Sequence, residues 1–122
     1  MAAHNELGKW GEDIATRYLS DNGYAIIERD CHCGRRDLDI IASKNDMLII
    51  VEVKTRHNAD YTRPEEAVGY DKAKSIAIAS NAYVKSHRIN LPIRFDIIAV
   101  TGSPDSEYQI RHITDAFYPP MR

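Results

Sequence analysis

The chain has 122 residues, of which 43% are hydrophobic and 28% charged, with a formal net charge of −2. These values are those of an ordinary globular protein with a modest core, and we expect one domain over residues 1–122. No apolar run reaches membrane-spanning length and the N-terminus lacks a signal-peptide pattern, so we expect no membrane partner and a cytoplasmic location. The acidic balance is unusual for a nucleic-acid binder, so any affinity for phosphate must come from local basic patches.

A helix is predicted over residues 5–22, because apolar residues recur there every three or four positions. Asn5 is the expected N-cap, and Gly23 follows the predicted end of the helix. Glu12 lies at the border of the apolar stripe, where its carboxylate could lean over the edge of a sheet packed beneath. We expect the first strand at residues 24–29.

An irregular segment is expected over residues 31–36, and it contains both cysteines of the chain, Cys31 and Cys33. A structural zinc site needs about four ligands, and no second ligand pair with suitable spacing appears in the sequence. Cysteines one residue apart are poorly placed for a disulfide, and a cytoplasmic location argues against one. We interpret them as residues at the end of a strand.

A β-hairpin is the clearest feature of the chain. Residues 37–42 and 47–54 are rich in Ile, Leu and Val, and the polar residues 43–46 supply the turn between them. If the turn centres on Asn45 and Asp46, the numbers of paired residues sum to 91. A loop of two or four residues gives this register equally, whereas an odd-length loop would break it.

This register predicts that Asp39 faces Glu52 and that Asp37 faces Lys54. Directly opposed residues have Cβ atoms roughly 5 Å apart, and like charges at that distance repel. A hard cation such as Mg²⁺ would compensate the two carboxylates, and the Lys54 amine projects from the same face as Glu52. The alternative is a structural salt bridge of Lys54 with Asp37 or Glu52.

The remainder of the chain predicts a polar loop, a second helix and two further strands. The loop covers residues 55–63, and the helix runs from Pro64 to about Ser86, with proline in its first turn. Strands are expected at residues 93–100 and 108–113. The predicted fold class is therefore α/β, with the element order α-β-β-β-α-β-β.

Six motifs within this order together resemble a known family. They are Gly8-Lys9-Trp10-Gly11-Glu12, Asp37-Leu38-Asp39-Ile40-Ile41, Val51-Glu52-Val53-Lys54-Thr55-Arg56, Arg63-Pro64-Glu65-Glu66-Ala67-Val68, Arg94-Phe95-Asp96 and His112-Ile113-Thr114-Asp115-Ala116-Phe117. The chain resembles the bacterial UPF0102 (YraN-like) family, within the restriction-endonuclease-like superfamily of PD-(D/E)XK nucleases. Archaeal Holliday-junction resolvases are functional relatives. The resemblance implies a central mixed β-sheet of about five strands flanked by helices.

By this resemblance, Glu12, Asp39, Glu52 and Lys54 match the catalytic positions of the superfamily. Asp39 and Glu52, with the Val53 carbonyl, would bind Mg²⁺ or Mn²⁺. Glu12 would act through a water or a second metal ion, and Lys54 would position or activate the attacking water.

The expected function is a Mg²⁺-dependent endonuclease that hydrolyses phosphodiester bonds in structured or branched DNA. A homodimer would supply the two sites that cutting both strands of a junction needs. The expected nucleic-acid contacts are basic residues near the acidic corner: Arg35, Arg36, Arg56, Arg63 and Lys72. One alternative is a non-catalytic nucleic-acid-binding or assembly module that retains the fold. Another is a protein-interaction domain in which the same charged residues form closed salt bridges without an open cavity.

Overall fold

The chain is described from a computed structural model that covers residues 2–33, 36–57 and 68–118. Its elements are α1 (Ala2–Asp21), β1 (Ala25–Cys33), β2 (Arg36–Lys44), β3 (Met47–Arg56), α2 (Tyr70–Ser86), β4 (Ile93–Thr101) and β5 (Gln109–Ile113). This confirms the predicted α/β class and the predicted element order. Within the described ranges, neither helix has the length and apolar character needed to cross a membrane.

The five strands form one mixed sheet in the order β1-β2-β3-β4-β5. Strands β3 and β4 are parallel, and the other neighbouring pairs are antiparallel. A parallel pair needs a crossover connection, and α2 lies on the connection between β3 and β4.

The hairpin of β2 and β3 has the predicted register. Its pairs run from Lys44 with Met47 to Ile40 with Val51. The two residues of the turn, Asn45 and Asp46, both have positive φ angles, of 53° and 61°, as a type I′ hairpin turn requires. The described pairing of β2 with β3 ends at Ile40, just before the acidic residues of the hairpin.

A core lies on each face of the sheet, one with α1 and one with α2. The core with α1 contains Ile14, Ala15, Leu19, Tyr24, Ile40, Ala42, Ile49, Val51, Ile98 and Val100. The core with α2 contains Cys33, Leu38, Ile41, Leu48, Ile50, Val68, Ala73, Ile76, Ala79, Tyr83, Phe95 and Ile97. The sheet is thus covered on both faces, which explains why its central strands are continuously apolar.

Several predicted boundaries were wrong. Strand β3 continues to Arg56, so residues 55–56 are strand and not part of the predicted loop. Helix α1 begins at Ala2, so Asn5 lies inside it and is not its N-cap. Strand β1 continues to Cys33, so residues 31–33 are strand and not an irregular segment. Helix α2 begins at Tyr70, and Gly69 before it has an extended backbone, so residues 68–69 are not helical as predicted; the predicted start at Pro64 lies outside the described residues.

Candidate active site

Asp39 lies where the regular alternation of β2 breaks. Leu38 and Ile41 both belong to the core with α2, whereas Ile40 and Ala42 belong to the core with α1. Strict alternation would place Leu38 and Ile40 on the same face of the sheet, so the strand is irregular beside Asp39. The Asp39 carboxylate accepts a hydrogen bond of 2.8 Å from the backbone N–H of Val53, which fixes it against β3.

Three carboxylates from three elements meet at this point. Glu12 of α1, Asp30 of β1 and Asp39 of β2 each offer one oxygen, and these oxygens lie within 4.8 Å of one another. Within the described ranges this is the one group of three or more potential ligands at such spacing. It includes two predicted site residues and adds Asp30, which was not predicted.

A one-residue bulge in β1 brings Asp30 to this group. Before the bulge Ile26 pairs with Ala42, and after it Glu28 pairs with Ile41, so the pairing shifts by one residue at Ile27. Without that shift Asp30 would align with Leu38 rather than with Asp39. Asp30 has a positive φ of 50°, which is uncommon for a residue other than glycine. The sequence carries no local signal for the bulge, and the predicted strand stopped one residue short of Asp30.

Gly11 allows α1 to bring Glu12 to the sheet. A Cβ atom at Gly11 would lie 2.0 Å from Oγ1 and 2.9 Å from Cβ of Thr55 in β3, so only glycine permits this approach. Glu12 is therefore buried, and it accepts a hydrogen bond of 2.8 Å from Arg29. Burial, and then a hydrogen bond with Asp30, raise the pKa of Glu12 to about 7. Arg29 also contacts Asp13, and it was not among the predicted site residues.

The carboxylate of Asp39 is buried and has a second carboxylate nearby, so its negative charge is poorly compensated. Burial raises the pKa of Asp39 to about 7, and the neighbouring charge of Glu52 adds to the increase. The hydrogen bond from Val53 and the charge of Lys72 oppose the increase but do not cancel it. A cation beside this carboxylate would favour its ionised form.

Glu52 lies outside the three-carboxylate group. It pairs with Ile97 in the parallel ladder of β3 and β4, and its Oε2 lies 2.7 Å from Nζ of Lys72 in α2. Lys54, two residues further along β3, lines the same depression as Glu12 and Asp39. Burial lowers the pKa of Lys54, and the nearby ammonium of Lys72 lowers it further.

Asp39 lines two depressions in the surface. The first has a volume of about 560 Å³ and is lined by Leu7, Gly8, Lys9, Glu12, Asp30, Asp39, Val53, Lys54, Thr55 and Arg56. The second, of about 550 Å³, is lined by His32, Arg36, Asp37, Asp39 and Ser75. Arg36 donates a hydrogen bond of 2.7 Å to Ser75, and His32 contacts Asp37. Arg35 and Arg63, two further predicted contacts, lie outside the described residues.

The donor set of the three-carboxylate group fits a hard divalent cation. Its oxygens belong only to carboxylates, and Mg²⁺ and Mn²⁺ prefer oxygen ligands over sulfur and imidazole. Cys31 and Cys33 lie outside this group; both are free, with Sγ atoms 2.9 Å apart in β1. The residues present are therefore suited to magnesium or manganese.

Comparison with known proteins identifies the family. The profile of a family described as "Uncharacterised protein family UPF0102" matches residues 11–100. The chain belongs to the UPF0102 family. A UPF0102 protein of Bacteroides thetaiotaomicron is 50% identical over 121 residues, covering 99% of both chains. UPF0102 proteins of Phocaeicola vulgatus and Flavobacterium psychrophilum are 46% and 45% identical, covering 99% and 97% of this chain and 99% and 98% of their own.

In this UPF0102 protein the predicted site residues divide into two neighbouring sets. Glu12, Asp39 and Lys54 line one depression, as do Val53 and Arg56. Glu52 is held by Lys72 on the side of α2. The charge of Glu52 raises the pKa of Asp39, so the two sets interact electrostatically.

Proposed function

We propose that this UPF0102 protein is a divalent-metal-dependent endonuclease that hydrolyses phosphodiester bonds in structured or branched DNA. The observation that carries the proposal is the group of three carboxylate oxygens, within 4.8 Å of one another, in a depression that Lys54 also lines. The resemblance to the restriction-endonuclease-like superfamily supports the same reading, although a fold by itself does not establish an activity.

Asp39 and Glu12, with Asp30, would hold the metal ion, and the Val53 carbonyl and Glu52 are the remaining candidate ligands. Mg²⁺ or Mn²⁺ would lower the pKa of a bound water and neutralise charge on the phosphate oxygens. Carboxylates whose pKa values are raised to about 7 gain most from a neighbouring cation, because ionisation is otherwise opposed by burial and by like charge.

Lys54 would take the proton of the attacking water, because it lines the same depression as Glu12 and Asp39. Its pKa is lowered by burial, so a larger fraction of the amine is neutral near physiological pH than for an exposed lysine. The neutral amine would accept the proton of the attacking water as the new O–P bond forms, and the leaving oxygen would take up a proton from solvent as the bridging P–O bond breaks. Its ammonium form then compensates charge on the phosphate.

Basic side chains beside both depressions would contact the DNA backbone. Lys9 and Arg56 line the first depression. Arg36 lines the second, where it donates a hydrogen bond to Ser75. Guanidinium groups suit phosphate oxygens geometrically. Because the chain carries a formal charge of −2, we expect binding to be weak and strongly dependent on salt.

A second candidate function is a nucleic-acid-binding or assembly module without catalysis. The ion pairs of Glu12 with Arg29 and of Glu52 with Lys72 favour it, since each engages a predicted catalytic carboxylate with a side chain of the protein. The open depression around Glu12, Asp39 and Lys54 favours the nuclease, because closed salt bridges would leave no such space.

The test is a cleavage panel of junction, flap, duplex and single-stranded DNA and of RNA, with Mg²⁺ or Mn²⁺. We expect cleavage of branched DNA by the wild type and a loss of at least about a thousandfold in Asp39→Asn and Lys54→Ala. Asp37→Asn is the matched control, because Asp37 lies two residues away in β2 and is exposed.

Circular dichroism establishes that each variant is folded. Robust cleavage by Asp39→Asn or Lys54→Ala would refute the proposed mechanism. Binding of DNA without cleavage of any substrate would instead favour the non-catalytic module.

A further inference from the structure

Lys72 forms an ion pair with Glu52, one of the predicted metal ligands. Its Nζ lies 2.7 Å from Oε2 of Glu52, and the two side chains are 23% and 11% exposed. An ion pair shielded to this extent is screened less by solvent and salt than a surface pair. The pairing therefore has a substantial effect on what Glu52 can bind.

The ammonium of Lys72 is also close to the other charged groups of the site. Burial lowers the pKa of Lys54 most, the charge of Lys72 and a hydrogen bond with it lower it further, and the charge of Lys72 also opposes the increase in the pKa of Asp39. Lys72 thus acts electrostatically on Glu52, Lys54 and Asp39 together. The ammonium of Lys72 therefore compensates part of the negative charge that a divalent ion bound to the same carboxylates would compensate.

We propose that Lys72 is an internal competitor for the metal ion at Glu52, and that it sets the metal affinity of the site. This inference rests on the proposed function in that it takes a divalent ion to be the natural ligand of the carboxylates. It assigns Lys72 a role different from the DNA contact expected from the sequence.

The competition follows from charge. An ammonium at hydrogen-bonding distance neutralises Glu52 and repels a second cation, so a metal ion must displace it or bind beside it at a cost. Without Lys72, Glu52 would be a largely buried carboxylate that has lost this ion pair. That state is unfavourable for folding and favourable for binding a cation.

The test is a calorimetric titration of Mn²⁺ into the wild type, Lys72→Met and Lys72→Arg, together with thermal unfolding with and without Mn²⁺. For Lys72→Met we expect an Mn²⁺ Kd about tenfold lower than that of the wild type, or ~1.4 kcal/mol. We also expect a lower Tm without metal and a larger increase in Tm on adding Mn²⁺. Lys72→Arg keeps the charge and should bind Mn²⁺ much as the wild type does.

The matched control is Lys74→Met, an identical change of charge at an exposed position of α2. It should leave the Mn²⁺ Kd and both Tm values close to those of the wild type. An unchanged Kd in Lys72→Met, or an equal change in Lys74→Met, would overturn the inference, as would a wild type and a Lys72→Met variant that both fail to bind Mn²⁺.

The outcome separates this inference from the proposed function. Tighter Mn²⁺ binding by Lys72→Met, with no DNA cleavage by the wild type, supports the competition and refutes the nuclease. Cleavage by the wild type with no change in Mn²⁺ affinity refutes the competition and leaves the nuclease standing.

Discussion

Two aspartates of the same sheet, Asp96 and Asp39, occupy opposite electrostatic environments. Asp96 of β4 is fully buried, and the side chains of Arg94 and His112 and the backbone N–H of Asp115 lie 2.8 to 3.0 Å from its oxygens. Burial alone would raise its pKa, but the hydrogen bonds from His112 and Arg94 hold the pKa below its usual value. Asp39 has Val53 as a donor and acidic neighbours, and its pKa is raised to about 7.

The difference separates a carboxylate whose charge the protein compensates from one whose charge burial and acidic neighbours disfavour. The partners of Asp96 come from its own strand, from β5 and from the segment after β5, so the network ties the end of the chain to the sheet. Among the described residues Asp39 has the N–H of Val53 as its hydrogen-bond donor, and burial and the charge of Glu52 disfavour its ionised form. Unfavourable placement of this kind is characteristic of functional sites.

The largest expected effect is that of Asp96→Asn. The amide NH₂ would face the donors of Arg94 or His112, so a buried network would lose its charge and part of its hydrogen bonding. We expect a loss of about 3 kcal/mol in the free energy of unfolding, measured by urea denaturation. Asp105→Asn, at an exposed position, is the control. If Asp96→Asn destabilised the chain no more than Asp105→Asn, the hydrogen-bond network of Asp96 would not stabilise the fold.

The second prediction concerns the position of Glu12. Gly11→Ala places a methyl group 2.0 Å from Oγ1 of Thr55, so α1 must shift away from β3, at a cost of about 2 kcal/mol. Gly8→Ala is the matched control in the same helix. Nothing lies within 4 Å of a Cβ atom at Gly8, so this change should gain about 0.5–1 kcal/mol through helix propensity. Equal effects of the two changes on urea denaturation would contradict the close packing at Gly11.

Local sequence signals were sufficient for most of the fold but not for the whole site. The register of the hairpin followed from two apolar runs and the turn at Asn45 and Asp46, and the structure confirms it. The bulge at Ile27, which aligns Asp30 with Asp39, depends on the pairing of two strands and leaves no mark in β1 alone. The ion pair of Lys72 with Glu52 likewise depends on how α2 crosses the sheet.

The start of α2 shows a different limit. Proline followed by two acidic residues is a common helix start, and it favoured Pro64. The described helix instead begins after the extended Gly69, with Asp71 as the acidic residue of its first turn. Val68 and Gly69, which the prediction had included in the helix, therefore precede it.

The third prediction is that the free energy of unfolding depends on pH in opposite directions for the two environments. Glu12 and Asp39 have folded pKa values raised from 4.5 and 3.8 to about 7, so the folded chain binds more protons than the unfolded chain between those values. The free energy of unfolding without divalent ions should therefore fall by at least about 2 kcal/mol from pH 5 to pH 8. Asp96 has a lowered pKa, so its ionised form stabilises the fold, and this contribution is lost only as the pH falls below about 4.

Urea denaturation at several pH values in the presence of a chelator measures this dependence. Replacing the chelator with Mg²⁺ at the higher pH values should restore stability, because a bound cation favours the ionised carboxylates. Stability that rises from pH 5 to pH 8 in the chelator would contradict the assigned shifts.

The smallest expected effect is that of Asp39→Asn on stability, and it is opposite in sign to that of Asp96→Asn. The amide removes a charge that burial and Glu52 disfavour and keeps an oxygen to accept the hydrogen bond from Val53. We expect a gain of about 1 kcal/mol at pH 8 without divalent ions, and no gain at pH 4.5, where the carboxyl of the wild type is already protonated. Asp37→Asn, at an exposed position of the same strand, should change little at either pH. Destabilisation of the chain by Asp39→Asn at pH 8 would show that Asp39, like Asp96, is a structural carboxylate, and the contrast between the two residues would be lost.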